Sequence, residues 1–202
     1  LPICSEIMNM TIFVGMPIVN KGKLFNCCVI ISHGDIVAVV PKTYLPNTGE
    51  YYEERWFSSA ADTEETTIVV CGQEIPFGTD ILCVARHDNR LIFGCEICED
   101  VWSVVPPSSL HALAGATILI NCSASVELLG KKAYREQLIT SQSARCIAAY
   151  IYAASGAGES STDVVFSGHC LIAENGSLLA QSERFSFDTQ IAYADIDRKS
   201  VV

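Results

Sequence analysis

From position 11 to position 195 the chain breaks into short runs of β-branched, aromatic and aliphatic residues, each closed by a turn signal. A chain divided this way can bury its apolar residues only by pairing strands. Runs at 11–15, 24–32 and 35–40 are separated by Asn20-Lys21-Gly22-Lys23 and Ser32-His33-Gly34-Asp35, both hairpin signals. Further strands are expected at 67–71, at 81–84, at 90–97 after the turn His87-Asp88-Asn89, and at 116–121, 148–154, 164–173, 178–183 and 190–195. The segment Glu174-Asn175-Gly176-Ser177 predicts a hairpin through a type I′ turn. Only two stretches read as helix. Pro106-Pro107-Ser108-Ser109 opens a short one that stops at Gly115, and residues 131–146 place Tyr134, Leu138 and Ile139 on one side with Lys132, Arg135 and Glu136 elsewhere. Several strands are apolar throughout, so two sheets packed face to face and covered outside by helices are expected.

At 202 residues one domain suffices. Half the residues are apolar and the mean hydropathy is +0.30, yet no run approaches the roughly 18 apolar residues of a membrane span. The net charge of -10, from 23 acidic and 13 basic residues, argues against nucleic acid or anionic membranes as partners. The ten cysteines lie mostly inside apolar runs such as Cys27-Cys28-Val29-Ile30-Ile31, where they behave as small hydrophobes, so a reducing cytoplasmic setting is expected. The opening Leu1-Pro2-Ile3-Cys4 carries neither an initiator methionine nor a signal peptide and reads as a cut through a larger protein.

Chemistry concentrates where Gly94-Cys95-Glu96-Ile97-Cys98-Glu99-Asp100-Val101-Trp102 runs from an apolar strand into polar and aromatic residues. A strand-to-turn position exposes a nucleophile while backbone N–H groups stabilise both its thiolate and an oxyanion, which singles out Cys98. Read as CxxC, Cys95 and Cys98 are alternatively a zinc or redox pair, or two buried thiols; a zinc site needs matching ligands, and His33, His87, His111 and His169 are scattered, so no metal site is assigned. Lys42, in Val40-Pro41-Lys42-Thr43-Tyr44-Leu45-Pro46, stands where a strand gives way to a proline-framed loop; it is either a solvated strand-end lysine or an oxyanion-stabilising ammonium. The loop at 41–52 and the irregular stretch to 66 are long enough to carry function. Within it Glu50 is placed to orient the lysine or a water, although Glu53 and Glu54 stand beside it. Ser123 and Ser125 are turn residues or contacts for a polar substrate. Gly156-Ala157-Gly158-Glu159-Ser160 lacks the lysine and helix of a phosphate loop.

Pro41-Lys42 and Ile97-Cys98-Glu99-Asp100 supply the last two members of the glutamate, lysine, cysteine order used by the nitrilase-like carbon–nitrogen hydrolases. Pro41-Lys42-Thr43-Tyr44-Leu45-Pro46-Asn47, Gly49-Glu50-Tyr51-Tyr52-Glu53, Cys98-Glu99-Asp100-Val101-Trp102 with Pro106-Pro107-Ser108, and Asn121-Cys122-Ser123-Ala124-Ser125 resemble, more narrowly, the glutaminase domains of glutamine-dependent NAD synthetases. Ser143-Ala144-Arg145-Cys146, Tyr150-Ile151-Tyr152-Ala153, Gly158-Glu159-Ser160-Ser161-Thr162-Asp163 and Ile172-Ala173-Glu174-Asn175-Gly176 extend the likeness over most of the chain. The resemblance implies an α/β fold, a four-layer α-β-β-α sandwich, here without its N-terminal strand and helix. It implies Cys98 as nucleophile, Lys42 as oxyanion stabiliser and Glu50 as a supporting carboxylate, with Glu99, Trp102, Ser123, Ser125 and Lys131 around a glutamine pocket. Thr48 stands where relatives usually have a tyrosine, which implies loss of one aromatic wall. No residue matches the family's upstream catalytic glutamate, and Glu6, in Cys4-Ser5-Glu6-Ile7-Met8, is not assigned to it. Glutamine is the implied substrate, the implied partner is an ATP- and magnesium-dependent synthetase domain that this chain does not contain, and self-association into an oligomer is expected. The competing readings are a stand-alone amidase acting on another small amide and a non-catalytic scaffold.

Overall fold

β1 (Thr11–Asn20), β2 (Lys23–Ser32) and β3 (Asp35–Pro41) form an antiparallel three-stranded sheet in the order β1-β2-β3. The computed structural model describes residues 6–7, 10–159 and 164–197. The opening Leu1-Pro2-Ile3-Cys4 and the motif positions 160–163 lie outside the described residues. Both hairpin turns have positive φ at each central residue, Lys21 (47°) with Gly22 (77°) and His33 (52°) with Gly34 (89°). That geometry matches the right-handed twist of the strands it joins.

Six further strands make the larger sheet. These are β6 (Leu82–Ala85), β7 (Asp88–Ile97), β8 (Ile118–Ser123), β9 (Ala149–Ala154), β10 (Leu171–Glu174) and β11 (Ser177–Gln181), in the order β11-β10-β9-β8-β7-β6. Its centre, β7-β8-β9, is parallel, and the flanking pairs are antiparallel. Parallel neighbours need crossovers: α1 (Pro107–Leu113) joins β7 to β8 and α2 (Lys131–Cys146) joins β8 to β9. Both helices lie on one face, where Leu119, Tyr150 and Tyr152 meet Ile139. The other face packs on the three-stranded sheet through Cys28, Ile30, Ala38 and Val40 against Cys95 and Ile97.

Four sequence expectations change. β4 (Thr67–Val70) pairs with β5 (Gln73–Pro76), a strand not anticipated because only Ile75 of its four residues is buried. Ile68, Ile75 and Phe77 from this hairpin region cover the outer face of the small sheet over Phe25, Val29 and Val39, so among the described residues that outer layer is β rather than helical. The expected strand at 164–173 is ordered as strand only from Leu171, and 190–195 is not a strand at all. Positions 191–197 do alternate in exposure, but among the described residues no neighbouring backbone completes a ladder. Among the described residues no helix is long and apolar enough to cross a membrane.

Candidate active site

Residue 98 follows β7 directly and starts a 3-10 helix, Cys98–Trp102. Its φ is +44°, a left-handed conformation that a non-glycine residue adopts at a cost of about 1 kcal/mol or more. The fold holds this strain in place. The Cys98 N–H donates to Asn121 Oδ1 at 3.0 Å, and the buried Asp100 carboxylate accepts the Ile97 N–H at 2.9 Å. The thiol is 8 % exposed and lines a cleft of about 690 Å³ between the two sheets.

The opposite wall comes from the end of β3. Lys42 is anchored there by its N–H to Asn26 O (2.8 Å), and its 2 % exposed side chain points into the same cleft. Its ammonium pairs with Glu53, whose other oxygen accepts from Asn26 Nδ2 at 2.7 Å. The carboxylate that reaches the lysine is therefore Glu53, where the sequence suggested Glu50. The Glu53 N–H donates to Pro46 O at 3.1 Å, which folds the loop back and starts a short 3-10 helix, Glu53–Arg55. Glu50 also lines the cleft, without an ion pair to Lys42.

Asp100 ties the two walls together. Besides Ile97 it accepts from the Tyr44 N–H at 2.8 Å and the Thr43 N–H at 3.1 Å, so one carboxylate fixes both the lysine loop and the cysteine turn. Burial raises its pKa to about 6 against the pull of these donors. Glu96, one residue before Ile97, is likewise pushed by burial to about 7, although Tyr150 Oη–H and the Ser108 N–H (2.7 Å) donate to it.

The other sequence candidates fall around this centre. Ser123 lines the cleft, with its hydroxyl 2.6 Å from Tyr152 Oη. Glu99 borders a neighbouring depression with Thr43 and Tyr44, and burial raises its pKa while Lys42 and Lys131 oppose the rise. Lys131 sits over the Trp102 ring at 5.4 Å, and its pKa is lowered by partial burial and by Arg135. Ser125 is buried, with its side chain hydrogen-bonded to Tyr152. Thr48 is exposed on the loop and reaches the site only through its carbonyl, which accepts the Tyr51 N–H at 3.2 Å. Aromatic lining comes instead from Tyr51, Tyr52, Trp56 and Phe57.

Glu53, Asp100 and Asn121 were not singled out from the sequence. For Asn121 a signal existed: a polar residue ending the apolar run Ile118-Leu119-Ile120 must find partners when buried. Glu6 lies beside Gly34 in the β2–β3 turn, at the opposite end of β3 from Lys42. Among the described residues no cluster of three or more His, Cys, Asp or Glu is arranged to hold a metal ion. A nucleophile on a strained turn and a buried ammonium across a cleft suit acyl transfer from an amide.

Residues 5–202 match the carbon–nitrogen hydrolase family. The chain is 45% identical over 184 residues to a glutamine-dependent NAD(+) synthetase of Mycobacterium bovis, covering 91% of this chain and 27% of the relative. A Drosophila melanogaster protein of the same name is 32% identical over 210 residues, covering 99% of this chain and 26% of the relative. The chain thus spans about a quarter of the length of the curated relatives it matches. Among solved structures, a glutamine-dependent NAD(+) synthetase from Cytophaga hutchinsonii superposes with a TM-score of 0.79 at 31% identity, covering 94% of this chain and 31% of that one. A carbon–nitrogen hydrolase from Helicobacter pylori shares the fold at a TM-score of 0.76 and 18% identity, covering 99% of this chain and 66% of that one.

Proposed function

Because the chain belongs to the carbon–nitrogen hydrolase family, we propose that it is the glutamine-hydrolysing part of a glutamine-dependent NAD synthetase. The observation that carries this reading is Cys98, lifted in a left-handed turn into the cleft that the buried Lys42 closes from the other side. Likeness to the synthetases over nine-tenths of the chain supports the choice of substrate.

In this reading Cys98 Sγ attacks the side-chain carbonyl carbon of glutamine, and the oxygen takes up the electron pair. Lys42 Nζ stabilises that oxyanion. A backbone N–H assists, and it is that of Glu99, because the Cys98 N–H is already donated to Asn121. Collapse of the intermediate breaks the C–N bond, the protonated nitrogen leaves as ammonia, and a thioester remains on Cys98. Water then attacks the thioester, glutamate departs and the thiol is restored. The resemblance assigns the proton transfers to a glutamate preceding Lys42 in the protein chain. Glu50 and Glu99, together with Lys131, carry the opposite charges that the ammonium and carboxylate of a free amino acid require. The ammonia would serve a synthetase part outside this chain, where bound ATP and magnesium would supply the activation needed to amidate nicotinic acid adenine dinucleotide.

The test is made on the full-length protein. Cys98→Ala is expected to lower glutamine-driven NAD synthesis by at least about 1000-fold while synthesis from added ammonium salt persists. Glutamine-driven synthesis at the wild-type rate would overturn the reading.

A further inference from the structure

Asn121 is fully buried at the carboxyl end of β8, and its side-chain amide grips both backbone groups of Cys98. Oδ1 accepts the Cys98 N–H at 3.0 Å, and Nδ2 donates to Cys98 O at 3.4 Å. Register explains why a side chain does this. β7 and β8 run parallel and pair Glu96 with Asn121 and Ile97 with Cys122, after which β7 turns away. Beyond that point the β8 backbone does not offer Cys98 the next rung, and the amide of Asn121 replaces it with a donor and an acceptor in one group.

A primary amide facing the wrong way would set its NH2 group against the Cys98 N–H. The interior fixes which way it faces. Nδ2 also donates to Tyr150 Oη at 3.3 Å, and Tyr150 must accept there because its own proton goes to the Glu96 carboxylate. Glu96 is held in turn by the Ser108 N–H at the first turn of α1 (2.7 Å). The chain Ser108, Glu96, Tyr150, Asn121, Cys98 is buried at every member, and while Glu96 is ionised each link orients the next.

We infer that Asn121 is a positioning residue that clamps Cys98 in its left-handed conformation, with Tyr150 and Glu96 orienting the clamp. Its effect on turnover rests on the glutaminase reading; its effect on the thiol does not. Without the clamp Cys98 relaxes to negative φ, and Sγ leaves the cleft wall opposite the Lys42 ammonium, whose charge favours a thiolate.

The experiment compares wild-type full-length protein with Asn121→Ala, Asn121→Asp and Tyr150→Phe. Two quantities are measured: kcat and KM for glutamine, and the pH profile of iodoacetamide alkylation at Cys98. Peptide mapping follows the alkylation, with the exposed Cys71 as internal reference. Asn121→Ala is expected to lower kcat about 100-fold, the scale set by a misplacement near 1 Å, with KM changed less than about threefold. Alkylation of Cys98 should slow relative to Cys71, and its pH midpoint should rise. Asn121→Asp keeps an acceptor for the Cys98 N–H and should recover part of both. Tyr150→Phe removes only the orienting hydroxyl, packs as before and should lower kcat about tenfold, the weight of one hydrogen bond.

Unchanged alkylation profiles with kcat within about twofold in both Asn121→Ala and Tyr150→Phe would overturn the inference, as would a rise in KM alone. Should Asn121→Ala fail to fold, Tyr150→Phe decides by the same readouts. A wild-type protein that releases no ammonia from glutamine would sink the glutaminase reading, and the alkylation profiles would still decide the clamp.

Discussion

Lys42 and Glu53 are a charge pair that the interior holds almost dry, at 2 % and 12 % exposure. Removing one partner strands the other, and that costs more than the pair itself contributes. Lys42→Met is therefore expected to destabilise the fold by about 3 kcal/mol, read as a shift in the urea midpoint, and Lys42→Met with Glu53→Leu should recover most of the loss. If the single and double variants unfold together, the pair is better hydrated than its burial indicates. The strand-end position of Lys42 left a solvated lysine and a buried ammonium both open, and only the family resemblance favoured the second. Which acidic residue meets it was not legible. Glu50, Glu53 and Glu54 are chemically equal in sequence, and only the bond from the Glu53 N–H to Pro46 O turns one of them back. Glu96 and Asn121 show a signal to look for, a polar residue within or ending an otherwise apolar strand, which must have a partner because burying it bare is costly.

Among the elements, α1 sits so close to β7 that Gly94 is the only residue type with room. A Cβ at position 94 would stand 2.8 Å from the Cβ and ring of His111, itself tied by Nε2 to Thr79 O at 2.7 Å. Gly94→Ala must push α1 off the sheet, at about 1–3 kcal/mol, and because Cys98 ends the same strand it should lower kcat as well; a thermal melt beside an activity assay would show both. Hairpins were readable wherever a residue followed by glycine sat between two strand-like runs. The same signal at Cys71 (φ 51°) and Gly72 (77°) marks the β4–β5 turn, but Gln73-Glu74-Ile75-Pro76 is too polar to suggest a strand. At 190–195 the error ran the other way. Alternation in the sequence became alternation in exposure, and pairing depends on a neighbouring strand that periodicity does not reveal.

For the whole molecule, buried carboxyls shape stability against pH. Glu96 and Asp100, raised by burial to about 7 and about 6 from ordinary values of 4.5 and 3.8, keep their protons longer in the folded chain than in the unfolded one. Their contribution to stability is complete below the ordinary carboxylate range and is lost as pH rises through the folded values. The stability of wild type minus that of Glu96→Gln should accordingly fall as pH rises from about 4.5 to about 7 and then level off. A difference that rises with pH would show Glu96 to be a stabilised carboxylate instead. The two-sheet architecture and its helical outer layer followed from strand-length runs and two helical stretches. The β layer over the small sheet did not, because its cover is a hairpin with one buried residue on β5.

The central proposal, that Cys98 is a nucleophile facing a cleft that takes glutamine, is tested most directly by exposing the full-length protein to a diazoketone analogue of glutamine and mapping the modified cysteine by mass spectrometry. The expected result is one adduct, on Cys98, whose formation glutamine suppresses. No adduct, or adducts shared among Cys98, Cys71 and Cys83 without protection by glutamine, would contradict it.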